Sequence, residues 1–151
     1  MPASIAAENP LSADGRALIA ASDSALQEVY PPEEIFSMDP AELAGGDAAF
    51  LVARDGAGAA LGCVALVDCG DYGEVKRLFV PAEGRGRGVA RALMARLEDE
   101  ARARELRLIR LETGPRLHAA VALYRALGYT ERGRFGDYQD HPASLFMEKA
   151  L

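Results

Sequence analysis

The sequence predicts an α+β fold, a three-layer α/β/α domain in which helices cover both faces of a mixed, mostly antiparallel sheet. One observation is the order of elements. Strand-like runs joined by short turns come first, and a strand-helix-strand-helix-strand alternation follows. The other is the length, because 151 residues suffice for one domain with a sizeable core. We therefore interpret residues 1–151 as a single domain.

The first half of the chain carries one long amphipathic helix and several strands. Residues 3–8 fit a short first strand, and Ser12 to Gln27 has apolar residues at helical spacing. The segment Tyr30–Pro32 ends this helix, because proline cannot continue it. The other predicted elements here are a short helix near Pro40–Ala44, strands at Ala49–Arg54, Leu61–Asp68 and Glu74–Val80, and a hairpin turn at Asp55–Gly58.

The second half alternates helices with strands. The apolar stripe of Gly86–Arg104 is typical of a helix that packs on a core. The pairs Glu98/Arg102 and Glu100/Arg104 are expected on its solvent-exposed side. The remaining predicted elements are a buried strand at Leu106–Glu112, a helix at Leu117–Leu127 that ends at Gly128, and strands near Tyr129–Phe135 and Leu145–Lys149.

Composition and charge narrow the class of protein. A net charge of -6 and a pI near 5.0 disfavour a general nucleic-acid binder and suit a cationic substrate. The sequence lacks the ~18 apolar residues of a membrane span and a signal peptide, so we expect a cytoplasmic protein without a membrane role. Cys63 and Cys69 are too far apart along one strand for a disulfide, and no Cys/His spacing predicts a metal site.

The most informative segment is the strand, proline, glycine-arginine loop and helix from Val75 to Leu97. Helix starts usually carry a Ser, Thr, Asp or Asn cap and acidic residues, whereas the loop Arg85–Ala90 has neither. An external anion would satisfy the free amides and both arginines, and the glycines let it approach the backbone. The loop therefore predicts a phosphate or pyrophosphate site. It lacks the third glycine of a dinucleotide-binding fingerprint and the Gly-Lys-Ser/Thr of a Walker loop.

Two motifs at a matching distance give a family resemblance. The loop Arg85–Ala90 resembles the Arg/Gln-x-x-Gly-x-Gly/Ala acetyl-CoA signature of the GNAT N-acetyltransferase superfamily. The segment Ala122–Tyr129 resembles the family's helix that ends Leu-Tyr-x-x-x-Gly-Phe/Tyr. The segments Tyr30–Pro32 and Phe135–Pro142 are similar to those of a bacterial subgroup. One position departs from the pattern: Leu117 stands where many members have a cofactor-contacting asparagine, and we do not take the adjacent histidine as its substitute.

The resemblance implies an acetyl-CoA-dependent N-acetyltransferase with the family's sheet, in which a V-shaped splay separates two parallel strands. It implies that Tyr124 is the general acid toward the CoA sulfur and that the backbone of the splayed strand holds pantetheine. The implied cofactor-binding residues are Leu78, Phe79 and Val80 for pantetheine and Arg85, Gly86, Arg87, Gly88, Val89 and Ala90 for the pyrophosphate. No metal is implied. A longer acyl chain stays open, and so does a homodimer, which family members often form.

The sequence offers two carboxylates as the proton-accepting group. An amine with a pKa near ~10.4 must lose a proton before it attacks. Glu74 begins the cofactor strand and is the candidate general base, with Glu112 at the end of the next strand as second choice. The alternative for Glu74 is a surface carboxylate that pairs with Lys76.

The acceptor is expected to be a primary amine of a small molecule or peptide. Loops carry specificity, and carboxylates would hold a cationic amine. The candidate substrate-binding residues are Tyr30, Glu33, Glu34, Asp137 and Tyr138, whereas His141 is interpreted as a surface residue. The alternative function is a non-catalytic acyl-CoA-binding regulatory or interaction module with the same fold.

Overall fold

A computed structural model describes residues 3–151 and forms one seven-stranded sheet. The strands are β1 Ser4–Ala7, β2 Ala49–Arg54, β3 Ala60–Asp68, β4 Gly73–Phe79, β5 Leu108–Thr113, β6 Thr130–Arg132 and β7 Leu145–Ala150. The helices are α1 Ala13–Gln27, α2 Pro40–Ala44, α3 Val89–Ala103 and α4 His118–Ala126. The strand order is β1-β2-β3-β4-β5-β7-β6, and neighbouring strands are antiparallel except β4 and β5. The predicted fold class is confirmed.

The two faces of the sheet carry two apolar cores. Helices α3 and α4 pack on one face, and α1 and α2 pack on the other. In β3, Val64 and Leu66 face the α3 side, whereas Cys63 and Ala65 face the α1 side. Successive side chains of a strand point to opposite faces, so a strand covered on both sides is apolar throughout. This explains why β3 shows no polar alternation.

The parallel strands β4 and β5 separate after a short paired segment. Their register runs from Gly73 opposite Ile109 to Val75 opposite Leu111. Beyond Val75, β4 continues to pair with β3 but no longer with β5. Residues 76–79 therefore present one backbone edge to a gap in the middle of the sheet. This is the V-shaped splay that the family resemblance implied.

A β-bulge at Arg77 accompanies the separation. Between Cys63 and Ala65, β3 advances by two residues while β4 advances by three, from Lys76 to Phe79. The extra residue is Arg77, which has φ +57°. A non-glycine residue in this region is uncommon and needs external support. The Sγ of Cys63 lies 3.3 Å from the Arg77 carbonyl and donates to it, so the bulge is tied to the neighbouring strand.

Several element boundaries differ from those predicted. Helix α3 begins at Val89 and not at Gly86, because Gly86 and Gly88 have φ +78° and +71°, which a right-handed helix cannot include. Strand β5 begins at Leu108, after Glu105 turns the chain at φ +61°. Strand β6 has three residues and covers only part of the predicted segment. These are differences of extent and leave the element order unchanged.

The expectation that Glu98 lies on the exposed side of its helix is wrong. The residue is 6% exposed. It accepts hydrogen bonds from the Tyr129 hydroxyl at 3.0 Å and from Lys149 Nζ at 2.8 Å. The expected pair with Arg102 is present but long, at 3.8 Å. Helical spacing alone did not reveal that Tyr129 and Lys149 would cover Glu98 on this side of α3.

Cys63 and Cys69 are both free thiols, as their spacing predicted. Within residues 3–151, none of the helices combines the length and the apolar composition that a bilayer crossing requires. The cytoplasmic location and the single-domain organisation stay predictions.

Candidate active site

A cleft of about 520 Å³ opens at the gap between β4 and β5. One side is formed by β4 from Val75 to Val80, and another by α4 from His118 to Tyr124. The C-terminal half of α1 and the loop after it complete the wall. Because residues of both α1 and α4 line it, the cleft connects the α1 side of the sheet with the α3–α4 side.

The glycine-arginine loop lies at one end of this cleft. Gly88 caps α3 without a side-chain hydrogen bond, and the first turn contains no acidic residue. A Cβ added at Gly86 or Gly88 would meet no atom of residues 3–151 within 4 Å, so the backbone is open on this side. Arg85 and Ala90 line the cleft. The local structure is thus an uncapped helix start with open space above its amides, as the sequence predicted.

The other loop residues are placed differently. Arg87 lines a second depression of about 360 Å³ together with Asp55 and Glu83. Val89 is buried in the core beneath α3. Gly86, Arg87, Gly88 and Val89 are therefore not wall residues of the cleft. Their predicted contacts to an anion would come from the outer surface of the loop.

The residues predicted to hold pantetheine form one wall of the cleft. Leu78, Phe79 and Val80 are half-buried and line it. They follow the bulge at Arg77, where β4 has lost β5 as a partner. A strand edge without a partner offers backbone amides and carbonyls to an extended ligand. Their position agrees with the predicted role, which stays a prediction.

Tyr124 lies in α4 and lines the cleft from the α3–α4 side. It is 6% exposed, and its ring meets that of Tyr129 edge to face with centroids 5.8 Å apart. Burial is the main cause that raises the pKa of Tyr124, and the negative charge of Glu112 adds to it. The phenol is therefore protonated at neutral pH. Glu98 accepts a hydrogen bond from the Tyr129 hydroxyl and so helps to hold the Tyr129 ring against Tyr124.

Glu112 lines the cleft from the end of β5. The Oγ of Ser144 donates a 2.8 Å hydrogen bond to its carboxylate. Burial raises the pKa of Glu112 from 4.5 to about 7, although the Ser144 hydrogen bond and the charge of Lys76 act in the opposite direction. A carboxylate with such a pKa can accept a proton near neutral pH.

Glu74, the first candidate for the base, is engaged by its neighbours. Its carboxylate accepts a 2.5 Å hydrogen bond from the Tyr138 hydroxyl and lies 3.2 Å from Lys76 Nζ. Lys76 also donates to the Tyr138 hydroxyl. Glu74 is 7% exposed and is not part of the cleft wall. The pairing with Lys76 that the sequence offered as the alternative is present, but in a buried cluster.

Some of the residues predicted to bind the acceptor amine line the cleft, and others do not. Tyr30 and Glu34 line the cleft, whereas Glu33, Asp137 and Tyr138 do not. The Tyr30 hydroxyl accepts a 2.8 Å hydrogen bond from the Arg116 amide. A Cβ at Gly114 would lie 2.5 Å from the Tyr30 ring, so the tyrosine fits only against glycine. Tyr30 thereby fixes the loop between β5 and α4.

Three wall or supporting residues were missed from the sequence. Phe36 lines the cleft, Arg77 supports the bulge, and Ser144 holds Glu112. The pairing of β5 with β7 brings Ser144 to Glu112, and sequence patterns do not fix the register of two strands far apart in the chain. Phe36 lies in a loop and belongs to none of the recognised motifs, so the sequence did not indicate its place in the cleft.

Comparison with known proteins gives the family. The model of the Acetyltransferase (GNAT) family matches residues 16–129. The chain belongs to the GNAT acetyltransferase family. An IAA acetyltransferase of Azospirillum brasilense is 46% identical over 149 residues, which cover 97% of each chain.

Solved GNAT structures share the fold. A Klebsiella pneumoniae protein, provisionally described as an acyl-CoA N-acyltransferase, has a TM-score of 0.83 and 39% identity, with 99% of this chain and 97% of that chain covered. The PaiA N-acetyltransferase of Thermoplasma acidophilum, crystallised with coenzyme A, has a TM-score of 0.72 and 17% identity, with 98% and 99% covered. The protein is thus an acetyl-CoA-dependent N-acetyltransferase, and the expected family, enzyme class and cofactor are confirmed.

The chain's own residues fit acetyl-CoA. The uncapped start of α3 suits a pyrophosphate, and the free edge of β4 suits the amides of pantetheine. Leu117, at the position of the family's asparagine, caps α4 without a side-chain hydrogen bond and lines the cleft. Its apolar side chain adds no polar contact at that point.

Proposed function

We propose that the protein transfers the acetyl group to a primary amine by direct attack, with Glu112 as general base and Tyr124 as hydrogen-bond donor to the leaving sulfur. The observation that carries this is the placement of both side chains on one cleft at the gap between β4 and β5. Glu112 belongs to the α1 side of the sheet and Tyr124 to the α3–α4 side. Glu112 can therefore accept a proton from the amine, and Tyr124 can donate a hydrogen bond to the thiol sulfur.

Glu112 suits the base role better than Glu74. Its pKa of about 7 lets it be ionised at neutral pH and still accept a proton. Glu74 already accepts a hydrogen bond from Tyr138 and faces the charge of Lys76, so its carboxylate is both occupied and outside the cleft wall. We assign Glu74 the task of holding Lys76 and Tyr138 in place.

Tyr124 keeps its proton while negative charge develops on the sulfur beside it. Its pKa lies above the ordinary phenol value of about 10, and a thiol has an ordinary pKa of about 8.5. Complete transfer to a free thiolate would therefore be uphill. Tyr124 instead stabilises the sulfur by donating a hydrogen bond as negative charge appears. The family resemblance implies a general acid, and we limit that role to hydrogen-bond donation without complete proton transfer.

Acetyl-CoA supplies the acetyl thioester when bound. The loop Arg85–Ala90 would hold the pyrophosphate through its free amides and its arginines. The edge of β4 at Leu78–Val80 would hold pantetheine. Of the predicted acceptor residues, Tyr30 and Glu34 line the cleft and are assigned to the amine site. A homodimer stays a prediction.

CoA release in the presence of acetyl-CoA and a panel of primary amines tests this function. The wild-type chain is expected to release CoA with some of these amines well above the rate without amine. Tyr124→Phe is expected to lower kcat while the Kd for acetyl-CoA changes little. Binding of acetyl-CoA with no amine-dependent CoA release across the panel would show that the proposal is wrong.

A further inference from the structure

We infer that the acceptor is a hydrophobic primary amine without a carboxylate close to the amino group, such as an arylalkylamine. This rests on the proposed function, because it names the substrate class of the same cleft. The α1 end of the cleft carries the evidence: its apolar wall, its neutralised cations and its acidic side chains.

The wall at this end is largely apolar. Ala25 and Leu26 come from α1, and Ile35 and Phe36 come from the loop that follows it. Phe36 is 36% exposed and is one of two exposed large hydrophobic residues among those described. An exposed phenyl ring in the wall of a cleft is a surface that an apolar ligand would cover.

Phe36 also contacts the loop that precedes β7. Its ring meets that of His141 edge to face at 6.0 Å between centroids. The two residues come from the separate loops that follow α1 and precede β7. Their contact holds the Phe36 ring against the loop before β7, and of these two residues Phe36 lines the cleft whereas His141 does not.

The two cations at this end are already neutralised within the protein. Lys76 Nζ lies 3.2 Å from Glu74, contacts the Tyr138 hydroxyl and donates to the Phe36 carbonyl at 3.5 Å. The Arg77 guanidinium donates to Asp23 at 2.5 Å and to the Met38 carbonyl at 2.9 Å. Its side chain is 3% exposed.

A substrate carboxylate would therefore find no free cation among the residues that line this end in the described part of the chain. The other basic residues of the wall, Arg85 and His118, belong to the glycine-arginine loop and to α4. Glu34 and Glu112 line the same cleft. They would repel a carboxylate and attract an ammonium group. An α-amino acid is thus disfavoured relative to its decarboxylated amine.

One arginine close by provides the rival interpretation. The Arg116 guanidinium stacks over the Tyr30 ring at 5.4 Å and is exposed, but it does not line the cleft. If it turned toward the cleft, it could pair with a carboxylate. The test therefore includes Arg116→Gln.

The experiment compares acceptors that share one ring. The chain with acetyl-CoA is assayed for CoA release with phenethylamine, phenylalaninamide and phenylalanine, and also with ethylamine, with rates corrected for the fraction of free amine. Binding of the same compounds to the protein with CoA is measured by calorimetry. We expect kcat/KM for phenethylamine to exceed that for phenylalanine and for ethylamine at least tenfold, with phenylalaninamide in between and the same order in Kd.

Variants locate the effect. Phe36→Ala should raise the phenethylamine KM about tenfold and narrow its advantage over ethylamine. The matched control is Leu11→Ala, which removes the other exposed large hydrophobic residue away from the cleft and should leave the ranking unchanged. The same ranking in Arg116→Gln would support the inference.

Two kinds of failure are distinguishable. Turnover of ethylamine or phenylalanine as efficient as that of phenethylamine, or loss of a phenylalanine activity in Arg116→Gln, overturns the inference and leaves the proposed function intact. Acetyl-CoA binding without amine-dependent CoA release for any compound overturns both.

Discussion

The Tyr138 hydroxyl donates a 2.5 Å hydrogen bond to the carboxylate of Glu74. This contact joins a late loop to the first part of β4, and Lys76 completes the cluster. The ring of Tyr138 packs edge to face on Phe135 and Phe146. The Glu74 carboxylate therefore lies in a cluster that joins β4 to the loop before β7.

The first prediction separates the two carboxylates. Glu112→Gln should lower kcat by two orders of magnitude or more, in the range of a lost general base, while the Kd for acetyl-CoA stays within about threefold. Glu74→Gln is the matched control and should keep most of kcat, because Glu74 itself does not line the cleft. Steady-state kinetics and calorimetry measure both variants. A larger loss of kcat in Glu74→Gln would return the base role to Glu74.

The second prediction concerns the pH dependence of the reaction. Glu112 has to be ionised to accept a proton, and its pKa is about 7. We expect kcat to rise with pH along a limb centred near this value. In Glu112→Gln that limb should disappear, and residual activity should follow only the ionisation of the amine. An unchanged limb in the variant would assign it to another group.

The third prediction concerns stability. Because burial raises the folded-state pKa of Glu112 above 4.5, its stabilising contribution is present below that pH. It is lost as the pH rises toward about 7, since the buried carboxyl must then ionise. At ~1.4 kcal/mol per pH unit, the fall is at most on the order of 3 kcal/mol.

Denaturant unfolding between pH 4.5 and 8 measures this effect. The wild-type free energy of unfolding should decline more steeply across the window than that of Glu112→Gln, which has no proton to lose. The variant should gain relative to wild type at pH 8. Parallel curves would mean that Glu112 is better solvated than its surroundings indicate.

The fourth prediction tests the anion loop through its glycines. Gly88→Ala should lower stability by about 1 kcal/mol, because alanine is strained at φ +71°. It should also weaken CoA binding at least tenfold, since the new Cβ stands in the open space above the amides. Gly58→Ala is the matched control, because Gly58 has φ +86° in the hairpin turn and an equally open Cβ position.

Calorimetry with CoA and thermal unfolding distinguish the two contributions. Gly58→Ala should show a similar loss of stability with an unchanged Kd. If both variants bind CoA like the wild type, the assignment of the phosphate loop is wrong.

The fifth prediction concerns the contact between Tyr30 and Gly114. A Cβ at position 114 would lie 2.5 Å from the ring, so Gly114→Ala should cost roughly 1–3 kcal/mol. The displaced Tyr30 should also lose its hydrogen bond from the Arg116 amide. Tyr30→Phe removes only that bond and should have a smaller effect on stability. Equal losses in both variants would mean that the hydrogen bond dominates over packing.

The sequence by itself determined the elements, their order and the anion loop. Helix periodicity, proline and glycine positions and the uncapped start of α3 are local properties, and they predicted four of the features that define the cleft: β4, α3, α4 and the loop Arg85–Ala90. Tyr124 could be singled out because its motif is contiguous.

Tertiary structure alone decided which charged groups reach the cleft. Strand register placed Ser144 against Glu112, and loop closure placed Tyr138 against Glu74 and Lys76. Contacts with Tyr129 and Lys149 buried Glu98, which its helix position had suggested would be exposed. Each of these contacts joins residues more than 30 positions apart. Burial and pKa depend on such contacts, because the energy of a charge is set by the atoms around it and not by its neighbours in the chain.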